Sequence, residues 1–186
     1  MNKRKLNLGC GNRKLEDYLN VDKYGNPDMI VDLEKFPWPW KDNSFDKISL
    51  IHVLEHLGKD SETFLNIFKE LYRVSSPNAL INIVVPDPRS DAYLEDPTHV
   101  RPITPKLLEL FSKEKNEMCQ KEGMANSPLA NYLGIDFEVI ECKIIFDKKW
   151  KNEYDQGRFT YDFIMNYARE HNNVIFKYEM VLKTIK

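Results

Sequence analysis

Residues 79–85 (ALINIVV) form a nearly unbroken apolar run that Pro86-Asp87-Pro88 brings to a stop. A strand apolar on both faces needs cover on both faces, the situation of a central strand in a parallel sheet layered by helices. The flanking pattern agrees. Residues 5–8 (KLNL), 18–22 (YLNVD), 28–32 (DMIVD) and 45–51 (FDKISLI) read as short strands, two of them ending in an acid. Residues 61–74 place Phe64, Leu65, Ile67, Phe68, Leu71, Tyr72 and Val74 at the spacing of an amphipathic helix. Thr104 and Pro105 supply an N-cap and a first-turn proline for a helix over 106–111. Residues 113–132 are polar and weakly patterned. Residues 137–146 and 174–185 read as two closing strands, with helical spacing at Phe163, Ile164 and Tyr167 between them. Strands and helices alternate through two thirds of the chain and two strands end it. That order predicts an α/β domain: a mostly parallel sheet with one antiparallel addition, sandwiched in three layers.

Composition narrows the function classes. At 186 residues, 42% hydrophobic and 30% charged, the chain is expected to form one domain over 1–186. A net charge of -2 supplies no global positive field toward nucleic acid or an anionic membrane. No run approaches the roughly 18 apolar residues of a membrane span. The basic start Met1-Asn2-Lys3-Arg4-Lys5 is not read as a secretion signal, because Asn7, Gly9, Gly11 and Asn12 break the apolar stretch behind it. Cys10, Cys119 and Cys142 are odd in number and contain no CxxC pair, which points to a reducing, cytoplasmic setting.

The first strand runs into Gly9-Cys10-Gly11, and Asp22 and Asp32 end the next two strands. Strand, glycine turn and strand-end acids are the parts that hold a nucleoside at the carboxyl ends of parallel strands. Glycine lets the backbone approach a ligand closely, and an acid can accept hydrogen bonds from both ribose hydroxyls. The third glycine of a dinucleotide fingerprint would fall at position 14, where the chain has Lys14. That argues against a pyrophosphate cofactor.

Taken in order, LNLGCGN, LNVD, VDLEKFPW, DNSFDKISLIHVLEHL, FKELYRVSSPNALINIVVPD and DPTHVR resemble the successive motifs of class I S-adenosylmethionine-dependent methyltransferases. They are similar in particular to small methyltransferases with LNLGCG and DPTH motifs, and the likeness runs over residues 5–111. The resemblance implies a Rossmann-like, seven-stranded sheet in the order 3-2-1-4-5-7-6 with strand 7 antiparallel. It implies that Gly9, Cys10 and Gly11 wrap the methionine part of S-adenosylmethionine and that Asp22 holds the ribose. Asp32 with the backbone of Leu33 would face the adenine, and Ile51 and His52 would line the cofactor opposite the glycine loop.

Three departures from the family pattern stand out. Asn7 replaces a more usual acid. Ser75-Ser76-Pro77-Asn78-Ala79 replaces an LKPGG turn, a change expected to stay within a surface bend. Ten residues between Gly11 and Asp22 leave room for a first helix of one or two turns, or none. With no helix expected ahead of the first strand, a lid is expected from 113–132 or from an insertion at 147–173 carrying Trp150, Tyr154, Arg158, Phe159 and Tyr161. That segment would close the site or be lent to a second subunit, so a homodimer is allowed for. The rival expectation is that these aromatics only pack the insertion onto the sheet.

Methyl transfer from a sulfonium mainly needs alignment of the acceptor, plus a base where a hydroxyl or ammonium must lose a proton. His99 is the favoured substrate-facing base or ligand and His52 the second candidate. Arg101 is a candidate anion contact, and Asp87 stands at a strand end on the acceptor side. The expected acceptor is an O or N atom of a small molecule such as a sugar or cell-surface precursor, with no nucleic-acid or membrane partner. Two alternatives remain: a non-catalytic S-adenosylmethionine-binding partner subunit, and a zinc hydrolase, since His52-Val53-Leu54-Glu55-His56 matches HxxEH. The hydrolase would need a third ligand and a substrate cleft, so no metal site is assigned and Glu55 and His56 are read as a helix start. The Phe36-Pro37-Trp38-Pro39-Trp40 segment reads as packing.

Overall fold

The computed structural model describes residues 4–186; the first three residues of the basic start lie outside the described residues. Seven strands form one sheet in the order β3-β2-β1-β4-β5-β7-β6. β1 (Lys5–Leu8), β2 (Leu19–Asp22), β3 (Met29–Ile30), β4 (Phe45–Ile51) and β5 (Ser75–Pro86) run parallel. β7 (Ile175–Thr184) lies antiparallel between β5 and β6 (Phe137–Phe146). This is the expected Rossmann-like arrangement, strand 7 included.

The side-chain period of two sorts the strands into faces. Leu6, Leu8, Ile48, Leu50, Ile81 and Ile83 are fully buried in one cluster with Ile67, Phe68 and Leu71 of helix α1 (Ser61–Val74). Asp60 caps that helix by accepting from the Thr63 N–H at 2.8 Å, a cap one residue ahead of the spacing signal. The other face carries a register row of polar residues, with Asn7 opposite Asn20 and Ser49, and Ser49 opposite Asn82. On that face Leu80 is 38% exposed, so the apolar run in β5 is covered on both sides only toward its carboxyl end.

Two departures from the family pattern take physical form here. No helix forms between β1 and β2, and side chains replace its hydrogen bonds. Asn20 accepts from the Leu15 N–H and donates to the carbonyls of Leu15 and Tyr18, while Asn7 donates to Asn20 and to the Arg13 carbonyl. Asn7 therefore braces the crossover. The 75–79 segment is not a surface bend: α1 passes directly into β5, with Ser75 and Ser76 buried. Phe45 pairs with Ser75 and Lys47 with Leu80, so a bulge containing Asn78 at φ +63° absorbs the extra residues.

The aromatic-proline loop packs as expected. Trp38 is buried, its N–H donates to Glu70, and Arg73 donates to the carbonyls of Trp38 and Trp40. After β5 come the short α2 (Asp91–Leu94) and α3 (Pro105–Glu109), the latter capped by Thr104. Residues 113–132 form α4 (Lys113–Lys121) and begin α5 (Leu129–Leu133). Residues 147–173 contain α6 (Lys148–Asp155) and α7 (Tyr161–Ala168). Trp150, Phe159 and Tyr167 pack there with Phe146, Ile164, Val174 and Ile175 in a second core.

Candidate functional site

The carboxyl ends of β1, β2 and β4 open on a cleft of about 380 Å³, lined by Gly9, Asp22, Asp32, Leu33 and His52 among others. Gly9 has φ +64°, and a Cβ there would stand 2.5 Å from Val53 Cγ2. Packing against the protein itself thus demands this glycine. Gly11, at φ +48°, faces open space. Cys10 between them donates its N–H to the Val21 carbonyl at 3.0 Å; burial, then the Asp22 charge, pushes its thiol pKa up.

The Asp22 carboxylate is fixed by its own loops. One oxygen accepts from the Gly11 N–H at 2.8 Å and the other from the Tyr24 N–H at 2.9 Å. A carboxylate has about four lone-pair sites, so outward acceptors remain. Asp32 pairs with Lys23 at 2.9 Å and accepts from the Glu34 N–H at 3.1 Å. Burial pushes its pKa up, but the hydrogen bonds from Lys23 and Glu34 outweigh it and hold the group below the ordinary range. The Leu33 carbonyl accepts from the Trp38 indole, which ties the cleft wall to the aromatic loop.

His52 follows β4 at φ +56°, its N–H bonded to the Val84 carbonyl and its side chain 40% exposed. Cys10 and Gly11 in the glycine loop and Ile51 at the end of β4 stand nearby without lining the cleft. Sequence reasoning did not single out Lys23, Tyr24, Glu34, Val53 and Leu57, which do line it. Only their adjacency to Asp22, Asp32 and His52 could have indicated them. None of the lining residues comes from 113–132 or 147–173.

The residues expected on the acceptor side fall in three places. His99 is 6% exposed at its side chain, stacks on Tyr93 and bonds the Tyr93 carbonyl through Nδ1 at 2.7 Å. Its ring lies 4.6 Å from that of His56, which lines the cleft. Arg101 donates to the Gly58 carbonyl and lies over the Phe64 ring, so its guanidinium is engaged by the protein. Asp87 is buried, accepts from the Tyr178 hydroxyl and the Arg89 N–H, and lines a separate hollow with Arg89, Met165 and Arg169. The Tyr178 phenol is pushed well above its ordinary range by burial and by this bond to Asp87. The DPTH loop docks on the HVLEH turn, because the Val100 and Arg101 N–H groups both donate to the Glu55 carbonyl.

Residues 19–83 match the family described as methyltransferase domain. No protein of curated function matches the chain in sequence. Among solved structures, a SAM-dependent methyltransferase from Archaeoglobus fulgidus is 18% identical at a TM-score of 0.64, covering 98% of this chain and 86% of that one. One from Methanosarcina mazei is 14% identical at a TM-score of 0.53, with 97% and 92% covered. The [4+2]-cyclase SpnF is 12% identical at a TM-score of 0.53, with 98% and 74% covered. At such identities the structural likeness speaks for the fold, and the domain match covers residues 19–83. Together they give the chain the fold of class I S-adenosylmethionine-dependent methyltransferases and, over residues 19–83, a match to a methyltransferase domain.

Proposed function

We propose that the cleft holds S-adenosylmethionine and that the chain transfers its methyl group to an O or N atom of a small molecule, a sugar or other cell-surface precursor. The observation that carries this reading is the position of Asp22: its carboxylate is locked by two backbone N–H groups at the rim of a cleft at the strand ends. The fit is chemical as well as spatial. A volume of about 380 Å³ lies within the range of small-molecule sites, roughly 300–1,000 Å³. Asp22 would hold the ribose hydroxyls, and Asp32 with Leu33 the adenine edge. Gly9, Cys10 and Gly11 would follow the methionine part along their backbone, with the open space at Gly11 leaving room for it. When bound, the cofactor supplies an activated methyl on a sulfonium.

The protein's own work is then alignment, worth up to about 7–11 kcal/mol in such reactions, and acceptance of one proton. His52 would take up the second task, a reading supported by its half-exposed imidazole lining the cleft. His99, buried against Tyr93, serves the site from behind. The test is calorimetric titration with S-adenosylhomocysteine beside NAD, on the protein and on His52→Ala. One-site binding of the homocysteine compound by both, with no heat from NAD, is expected. Silence from S-adenosylhomocysteine in a folded sample would overturn the assignment of the cleft. Once an acceptor is in hand, His52→Ala should lower kcat by about 10²–10⁴; an unchanged kcat would remove His52 as base.

A further inference from the structure

Glu55 is 1% exposed, and both of its carboxylate oxygens are buried without accepting a hydrogen bond. His52 Nδ1 stands 3.4 Å from Oε1, an ion pair only when the imidazole is protonated and not a hydrogen bond, and Oε2 has no hydrogen-bond partner. A buried carboxylate of this kind is strongly unfavourable unless a cation pairs with it. Ligand atoms of Glu55, His56 and His99 all lie within 4.8 Å of one another.

The hydrogen bonds around the two imidazoles decide which nitrogens are free. His99 Nδ1 faces the Tyr93 carbonyl, which can only accept, so that nitrogen carries the proton and, in the neutral ring, Nε2 keeps its lone pair, 3.9 Å from the Asp96 carboxylate. Thr98 spends its hydroxyl proton on the Asp96 carboxylate, so His56 Nδ1, 2.9 Å from the same hydroxyl, must be a donor too. Nε2 is again the free nitrogen. An Nδ1 proton held by a carbonyl, or by a hydroxyl backed by a carboxylate, is the outer-shell arrangement found around metal-bound histidines.

We propose that Glu55, His56 and His99 bind one divalent first-row transition cation, such as zinc. Two imidazoles and one carboxylate favour zinc, iron, cobalt or nickel over the harder magnesium and calcium. Bound at about 2.0–2.2 Å, tetrahedral ligands sit about 3.4 Å apart, so the side chains draw inward by roughly 1 Å. The set differs from the HxxEH pattern. That pattern needs both histidines on one helical face, whereas here Leu54–His56 is a three-residue 3-10 turn and His52 lies outside it. The third ligand arrives instead on the DPTH loop, which the Glu55 carbonyl holds through the N–H groups of Val100 and Arg101. Three protein ligands leave a position for water or for an oxygen of a molecule in the cleft that His56 lines. Only this last use rests on the methyltransferase reading.

The experiment titrates chelator-treated full-length protein with Co²⁺, follows the visible absorption bands, and then displaces the cobalt with Zn²⁺. One equivalent with the spectrum of a nitrogen and oxygen site is expected, with or without S-adenosylhomocysteine. Glu55→Gln and His99→Ala should weaken binding about 100-fold or more, while His52→Ala should leave it within about threefold. His99→Gln, which keeps a donor toward the Tyr93 carbonyl, repeats the test should His99→Ala fail to fold. No stoichiometric binding by protein with native circular dichroism would overturn the proposal. So would loss of cobalt in His52→Ala with retention in His99→Ala, or a Glu55→Gln protein of raised Tm whose metal binding is unchanged. Because the metal is read by spectrum and the nucleoside by calorimetry, failure of one leaves the other standing.

Discussion

A methyl group added at Gly9 meets Val53 at 2.5 Å, and one added at Gly11 meets nothing, although both residues have positive φ. Left-handed backbone costs a non-glycine residue about 1–2 kcal/mol. Overpacking against a β-branched neighbour adds about 1–3 kcal/mol, because Val has little rotamer freedom to yield. Gly9→Ala should therefore destabilise the protein by about 2–5 kcal/mol and Gly11→Ala by about 1–2 kcal/mol. Adding Val53→Ala to Gly9→Ala should recover part of the loss in a double-mutant cycle, measured by urea unfolding. Equal losses for the two glycines would show that backbone conformation alone decides. The glycines and the acids Asp22 and Asp32 were legible in the sequence as residue types at strand ends. The reason for Gly9 was not, because Val53 is distant in sequence and only the fold brings it near. The same holds for Glu55 and His99, which read as a helix start and a loop base until the DPTH loop is seen docked on the Glu55 carbonyl.

At the scale of elements, α1 does more than cover the sheet. Its Glu70 and Arg73 clasp the aromatic loop through the Trp38 N–H and the carbonyls of Trp38 and Trp40, and that loop is tied to Leu33 in the cleft wall. Burial pushes the Glu70 pKa up, but the Arg73 guanidinium and the Trp38 N–H outweigh it and hold the carboxyl below its ordinary range. With the folded pKa depressed, this carboxylate's stabilisation is complete above the ordinary glutamate range and is lost as pH falls from there through the folded value. Glu70→Gln should cost about 2–4 kcal/mol at neutral pH, since it leaves Arg73 with a weaker partner, and should flatten the acid limb of stability against pH. An acid limb identical to that of the parent protein would remove Glu70 from the account. The helix itself was legible, because its spacing spans four turns. The β1–β2 crossover was legible only as too short, since the side chains of Asn7 and Asn20 that stand in for a helix leave no periodic trace. The start of β5 was missed because its serines and proline look like a turn and are strand only through pairing with Phe45.

For the whole molecule, the order of motifs implied the sheet order through resemblance, while alternation alone implied only a mostly parallel sheet. Fold does not choose the chemistry, as a cyclase of similar architecture illustrates; the strand-end cleft and its side chains carry that argument. The helical segment 147–173 poses the remaining question of how the parts cooperate. Its aromatic residues pack on one another and on β6 and β7, and Arg89 reaches across to the carbonyls of Ala168 and Arg169. Ile164 is fully buried in this second core, so Ile164→Ala removes packing there without touching the cleft lining. A cost of about 2–4 kcal/mol follows from large-to-small truncation in a core. Hydrogen exchange should quicken in α6, α7 and the start of β7, while β1, β2 and β4 keep their protection. If residues 147–173 only pack onto the sheet, S-adenosylhomocysteine affinity stays within about twofold of the parent value. If affinity falls about tenfold, equivalent to about 1.4 kcal/mol, residues 147–173 act on the bound ligand and the lid expectation gains support.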